Sequence, residues 1–157
     1  VNSWFVAQSV VKQADESVTS STTLQFDNDL TVPIVANASY IFSCYLNYEG
    51  NTPTNGDLKW VWVLPTGALL RYNPVYTNAT STLNVSIGTT VAGSTVMTGI
   101  LAAGTNGAGN LRGMTMTGSL IVGSTPGSLS LQWAQNTSSG TATTIHAQST
   151  LSLIRVS

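Results

Sequence analysis

Ser39-Tyr40-Ile41-Phe42-Ser43-Cys44-Tyr45-Leu46-Asn47-Tyr48-Glu49 is the stretch that decides the fold class. Tyr40, Phe42, Cys44, Leu46 and Tyr48 share one parity, which in an extended chain is one face. A helix would scatter the same residues around its axis. Alternation of this kind marks a half-buried antiparallel strand. The same period recurs on working outward. Asp57 to Leu64 sets Leu58, Trp60, Trp62 and Leu64 against Lys59, Val61 and Val63. Ser128 to Gln135 sets Leu129, Leu131 and Trp133 against Ser130, Gln132 and Ala134. From Thr144 onward, Ile145, Ala147, Leu151 and Leu153 oppose His146, Gln148, Thr150 and Ser152.

Weaker strands are predicted at Asn2 to Val11, Glu16 to Thr19, Thr22 to Phe26, Leu30 to Val32, Ser81 to Ile87, Thr95 to Ala102 and Leu111 to Val122. Turn chemistry separates them: Asp27-Asn28-Asp29, Gly50 to Gly56, Pro65-Thr66-Gly67, Gly104 to Gly109, Ser124 to Gly127 and Ser138-Ser139-Gly140. The best helical candidate, Thr90 to Ala103, is rich in Val, Thr and Gly, which are poor helix formers. Roughly eight to ten short strands at this spacing predict an all-β fold, an antiparallel β-sandwich of jelly-roll-like kind. The chain of 157 residues fits one domain, residues 14–157, preceded by residues 1–13. That first segment reads either as an ordinary first strand or as a docking arm led by Val1, Asn2, Trp4, Phe5 and Val6.

Charge is scarce. Five Lys or Arg face six Asp or Glu, 7% of the chain, where a soluble domain carries about 25%. Hydroxyls fill the place: 19 Ser and 23 Thr. A formal net charge of -1 offers no electrostatic footprint for nucleic acid. No apolar run of about 18 residues exists to span a membrane as a helix. The first residues carry neither a basic n-region nor a long apolar h-region, so no secretory leader is expected. Thr suits an outward strand face because it combines β-propensity with a hydrated hydroxyl. Charge is also what keeps sheet edges from pairing with other chains. A β chain without such guards is expected to have its edges and faces covered in an assembly.

Residues that could carry chemistry are few. The single Cys44 excludes an intramolecular disulfide and reads as a buried small hydrophobe. Asp27 and Asp29 around Asn28 read as a turn, or as half of a cation shell. His146 is the only histidine, too few for a metal site, and no Gly-x-Ser-x-Gly elbow accompanies it. A secreted hydrolase would need an acid/base pair that the residues do not supply. Gly104 to Gly109 lacks a phosphate-loop Lys and reads as a loop. Asn-x-Ser/Thr triplets at Asn37, Asn78, Asn84 and Asn136 are what so hydroxyl-rich a composition produces by chance. No catalytic residue, cofactor or metal site is expected. Trp60, Trp62 and Trp133 read as a core between two sheets, with a sugar-stacking platform as the sharper alternative. Tyr72, Asn73, Tyr76 and Asn78 read as a polar-aromatic loop, the candidate ligand surface.

Two stretches carry a family resemblance. One is Ala14-Asp15-Glu16-Ser17-Val18-Thr19-Ser20-Ser21-Thr22-Thr23-Leu24-Gln25 with Leu30-Thr31-Val32-Pro33-Ile34-Val35-Ala36-Asn37-Ala38-Ser39-Tyr40. The other is Gly127-Ser128-Leu129-Ser130-Leu131-Gln132-Trp133-Ala134-Gln135-Asn136-Thr137-Ser138, running on to Ser149-Thr150-Leu151-Ser152-Leu153-Ile154-Arg155-Val156. Both resemble small virion-associated proteins of actinobacterial phages and prophages. The second is also similar to the closing strands of C1q/TNF-like jelly rolls. Glu49 to Gly123 matches no nameable pattern. The resemblance implies a non-enzymatic virion surface protein, assembled in the bacterial host cytoplasm. It implies a capsid decoration (cement) protein, or alternatively a tail-fibre or glycan-binding module. Its expected partners are itself, as a homotrimer, and the major capsid protein or other virion proteins. A reducing cytoplasm agrees with the lack of disulfides.

Overall fold

The computed structural model describes residues 7–50, 58–77, 83–85, 89–92, 101–103, 105 and 107–157. Thirteen strands occur among them. They are β1 (Ala7–Val11), β2 (Glu16–Val18), β3 (Gln25–Ile34), β4 (Ser39–Glu49), β5 (Leu58–Val63), β6 (Leu69–Thr77) and β7 (Leu83–Val85). After these come β8 (Thr89–Ala92), β9 (Leu101–Ala103), β10 (Arg112–Ile121), β11 (Gly127–Gln135), β12 (Thr143–Ile145) and β13 (Thr150–Arg155).

The first sheet runs β1-β13-β4-β10-β6, with β7 and β8 both on β6 and β12 bridging β4 to β2. The second runs β3-β11-β5-β9. Eight of these strands nest around the middle of the chain. β5 pairs β9, β4 pairs β10, β3 pairs β11 and β1 pairs β13, all antiparallel. A long hairpin rolled so that successive pairs alternate between two sheets is a jelly roll. The fold is therefore the expected all-β antiparallel sandwich. The added strands β2, β6, β7, β8 and β12 all extend the first sheet.

Period-2 patterning fixes the core. Tyr40, Phe42, Cys44, Leu46 and Tyr48 of β4 are buried while their neighbours are not. They meet Leu58, Trp60 and Trp62 of β5 and Leu129, Leu131 and Trp133 of β11 in one core. Phe42 stands edge-on to Trp62 of the other sheet, centroids 5.1 Å apart at 83°. Edge-to-face rings add attraction beyond the area they bury. Cys44 lies between Met116 and Leu151 in register and is fully enclosed. Burial pushes its thiol far above the ordinary range, so it is a packing residue rather than a nucleophile.

Several expectations need correction. Lys59 and Val61, expected on an outward face, are buried too, so β5 is enclosed on both sides. The segments predicted as two strands around Asp27-Asn28-Asp29 form one strand, β3. Phe26 pairs with Gln132 and Thr31 with Ser130, so residues 27–30 bulge out opposite the single Leu131. The turn chemistry was real, but it operates inside a strand. The helical candidate contains β8 and β9, and residues 93–100 lie outside the described residues. The supposed loop at Tyr72 is strand β6. Pro74 falls between the part of β6 paired with β8 and the part paired with β7, where a missing N–H costs least. The turn at Pro65-Thr66-Gly67 is as expected, with Ala68 N donating to Pro65 O at 3.1 Å and Gly67 at φ 81.

Gly118 lets β6 approach β10. A Cβ there would strike Arg71 O and lie 2.7 Å from Tyr72 Cα. Gly118→Ala should cost at least about 1–3 kcal/mol through forced backbone displacement. Chemical denaturation checks this, and a variant as stable as the parent contradicts so close an approach.

Candidate functional site

Three features outside the plain hydrophobic core bear on function. The first is a buried ionic cluster. Lys12 follows β1 and continues its pairing: Lys12 N donates to Ser149 O at 2.8 Å, and Lys12 O accepts from Gln148 N at 2.9 Å. Its ammonium donates to Glu16 Oε2 at 2.8 Å and Asp27 Oδ2 at 2.9 Å, with Asp29 Oδ2 at 3.8 Å. The Lys12 side chain is 1% exposed and that of Asp27 0%. A buried charge is tolerated only when its remaining valences are met, and here they are. Asp27 Oδ1 accepts from Asp29 N at 3.0 Å and Leu30 N at 2.9 Å. Its Oδ2 also accepts from Trp133 Nε1 at 3.2 Å. Glu16 takes Gln25 Nε2 at 3.1 Å and Asn28 N at 3.1 Å. Gln13 N donates to Asp29 Oδ2 at 3.1 Å. Burial pulls the Lys12 pKa down, but hydrogen bonds to Glu16 and Asp27 outweigh it and hold the group above its usual value. The positive charge beside Asp27 and Asp29 is thus the chain's own ammonium. Sequence reading missed this because the partners come from three separate elements.

The second feature surrounds His146, just past β12. Its Nδ1 lies 3.2 Å from Asp15 Oδ2 and its Nε2 3.7 Å from Glu49 Oε1. Asp15 Oδ1 accepts from Ala147 N at 2.8 Å, and Glu49 Oε2 from Gly109 N at 2.7 Å. The fold therefore supplies the His–Asp contact that spacing did not reveal. Ser149 Oγ, three residues on, donates to His146 O at 2.9 Å and accepts from Asn47 N at 3.0 Å. Its hydroxyl serves the backbone of the β12–β13 turn. No group of three or more His, Cys, Asp or Glu that could hold a metal occurs among the described residues.

The third feature is the outer face of the first sheet. Register aligns three rows across β1, β13, β4, β10 and β6. They read Ala7–Ile154–Ile41–Ser119–Arg71, Ser9–Ser152–Ser43–Thr117–Asn73 and Val11–Thr150–Tyr45–Thr115–Val75. Arg71 is the one charged member, at a corner. Ile41, Tyr45, Ile154 and Val11 are all exposed, at 51%, 41%, 40% and 45%. The middle row carries hydroxyls and an amide, and Ser9 Oγ bonds Ser152 Oγ at 2.9 Å. The flanking rows set Ile154 and Ile41 on one side of it and Val11, Tyr45 and Val75 on the other. Loss of charge from the centre of a patch is what distinguishes interface cores from ordinary surface.

Of the residues singled out from sequence, Tyr72, Asn73 and Tyr76 do not form one exposed surface. Tyr72 and Tyr76 share the inward parity of β6, and Asn73 has the outward one. Tyr72 is buried against Phe42, centroids 5.8 Å apart, and burial raises its phenol pKa. Tyr76 packs edge-on to Trp60 at 5.7 Å, and burial raises its pKa too. Asn73 ends the hydroxyl row. Asn78 lies outside the described residues, as do Val1, Asn2, Trp4, Phe5 and Val6. Residues 7–11 of the expected arm are the edge strand β1. Trp60, Trp62 and Trp133 are buried, which removes them as a sugar-stacking platform.

No family model matches the chain, and no curated protein is similar to it. The resemblance to actinobacterial phage proteins thus has no counterpart there. Similar solved structures are of infectious bursal disease virus. The Gt strain is 11% identical, with 98% of this chain and 42% of that chain covered and a TM-score of 0.25. The Gx strain is 13% identical, covers 96% and 41%, and has a TM-score of 0.25. A VP2 mutant in derived T=1 particles is 12% identical, covers 98% and 40%, and has a TM-score of 0.26. The chain spans about two-fifths of the length of these chains.

The Ala147 N–H, and after it the charge and hydrogen bond of His146, hold the exposed Asp15 carboxyl below its usual 3.8. Its stabilising contribution is complete above that value and is lost as pH falls through the lower, folded one. Asp15→Asn should therefore flatten the acid limb of thermal stability below pH 3.8. Melting curves across the acid range check this, and superimposable limbs contradict it.

Proposed function

We propose that the chain is a non-enzymatic structural protein of a virion, a capsid decoration (cement) protein that binds the shell exterior as a homotrimer. The observation that carries this reading is the outer face of the first sheet, three rows of five residues with one charge among them. Such a face is costly to leave in water and well suited to cover with protein. The edge strand beside it, β1, is Ala-Gln-Ser-Val-Val and offers no charge against pairing with another chain. A jelly roll is an architecture of viral capsid domains, which supports the reading, and the resemblance read from the two end segments points the same way. The buried tryptophans weigh against the glycan-binding alternative.

The face carries one charge, at a corner, with hydroxyls along its middle row and Ile, Val and Tyr on either side, so copies of the chain are its occupants and the shell is reached through the assembly. Ile41→Lys and Thr117→Lys each place a charge at the centre of the face without touching the core. Both variants should keep the parent's melting temperature, sediment as monomers and lose capsid binding. The parent should sediment as a trimer and raise the heat resistance of purified capsids. A parent that is monomeric and indifferent to capsids, or variants that assemble unchanged, would overturn the proposal.

A further inference from the structure

We propose that Lys12 and Asp27 join in an intramolecular isopeptide bond, with Glu16 carrying the protons. The inference is independent of how the chain assembles. Lys12 Nζ rests 2.9 Å from Asp27 Oδ2, one bond from the carboxyl carbon that it would attack. Asp27 Oδ1 sits on two backbone donors, Asp29 N at 3.0 Å and Leu30 N at 2.9 Å. That is the arrangement that stabilises charge developing on a carbonyl oxygen under attack. The other oxygen, Oδ2, is the leaving one, and Trp133 Nε1 donates to it at 3.2 Å. Glu16 Oε2 touches the same nitrogen at 2.8 Å, close enough to take protons from it. The nitrogen and the carboxyl are buried, so the water released has little chance to return.

The step balances without an oxidant, metal or cofactor. At rest the three groups are an ammonium and two carboxylates. Glu16 takes one proton from Lys12 and passes it to Asp27 Oδ2, leaving a neutral amine beside a neutral acid. A buried pair tolerates that exchange because no net charge moves into the interior. The nitrogen lone pair attacks the Asp27 carbonyl carbon, the N–C bond forms, and the C=O electron pair moves onto Oδ1. Glu16 then takes a second proton from nitrogen and delivers it to Oδ2. The C–Oδ2 bond breaks with its electrons, water leaves, and the carbonyl re-forms on Oδ1. One hydrogen stays on nitrogen, and Glu16 ends as the carboxylate it began. The bond would tie the end of β1, in the first sheet, to the bulge of β3, in the second. A chain with one cysteine would gain a covalent staple by other means.

Intact mass of the purified, denatured full chain tests this directly. The expected value is one water below the sequence mass. Proteolysis should release a branched peptide that joins the segment with Lys12 to the segment with Asp27. Lys12→Arg and Glu16→Gln should each return the full mass. Glu16→Gln keeps the side chain's size but turns one of its two acceptor oxygens into a donor, so circular dichroism and a melting curve verify that its fold is kept. The parent measurement needs no variant to fold. A parent at full sequence mass, a water loss mapped to any other residues, or a Glu16→Gln variant linked as fully as the parent would overturn the proposal.

Discussion

One buried contact, the ammonium of Lys12 against the carboxylate of Asp27, organises the region where the two sheets meet. An unpaired charge at that depth would cost several kcal/mol by desolvation alone, roughly 3–5 when a partner is removed. Everything around it therefore satisfies the pair. β3 bulges at residues 27–30, so that Asp27 turns inward and takes two backbone N–H groups of its own loop. Trp133 turns its indole N–H to the same carboxylate from β11. Glu16 completes the ring from β2 while holding Gln25 and Asn28. The backbone of Lys12 meanwhile extends the pairing of β1 with the approach to β13. Removing the Lys12 side chain would leave the Asp27 carboxylate buried without its counter-ion.

This cluster also changes what charge scarcity means. Of the charged residues, Lys12, Glu16, Asp27 and Asp29 are committed to it, Asp15 and Glu49 face His146, and Lys59 is buried. Among the described residues, the exposed Asp15 carboxyl and the side chains of Arg71, Arg112 and Arg155 are the charges at the surface. Ser and Thr keep the outer face hydrated enough for the free chain to exist, while the flanking Ile, Val and Tyr make covering it favourable. In β4, packing and surface chemistry are separated by parity: Phe42 and Leu46 face Trp62 and its neighbours, Ile41 and Tyr45 face outward.

Parity also decides how much could be read from sequence. β4 alternates cleanly, and its boundaries and core residues were legible; the bounds of β10 and β11 were legible too, though in β11 Ser130 and Ala134, set on the outward face, are buried as well. β6 was not. Leu70, Tyr72 and Tyr76 do alternate, but Asn73-Pro74 between them carries turn chemistry, and only the pairing with β10 and the room left by Gly118 make it a strand. That is why a core tyrosine was mistaken for a surface one. The Asp27 bulge was half legible, since its local bonding is that of a turn while its ends belong to one strand. The ionic cluster was illegible because Glu16 and Asp27, though within 15 residues of Lys12, and the distant Trp133 come from separate elements whose mutual placement no pattern gives; the Asp15–His146–Glu49 contacts were illegible because they join residues distant in sequence. The outer face needed register: no segment alone shows that Ile154, Ile41 and Ser119 are neighbours.

A cryo-electron microscopy map of the chain in its assembled particle tests the covered face most directly. The expected map has Ile41, Ile154 and Tyr45 packed against neighbouring protein. A map in which that face looks onto open solvent contradicts it.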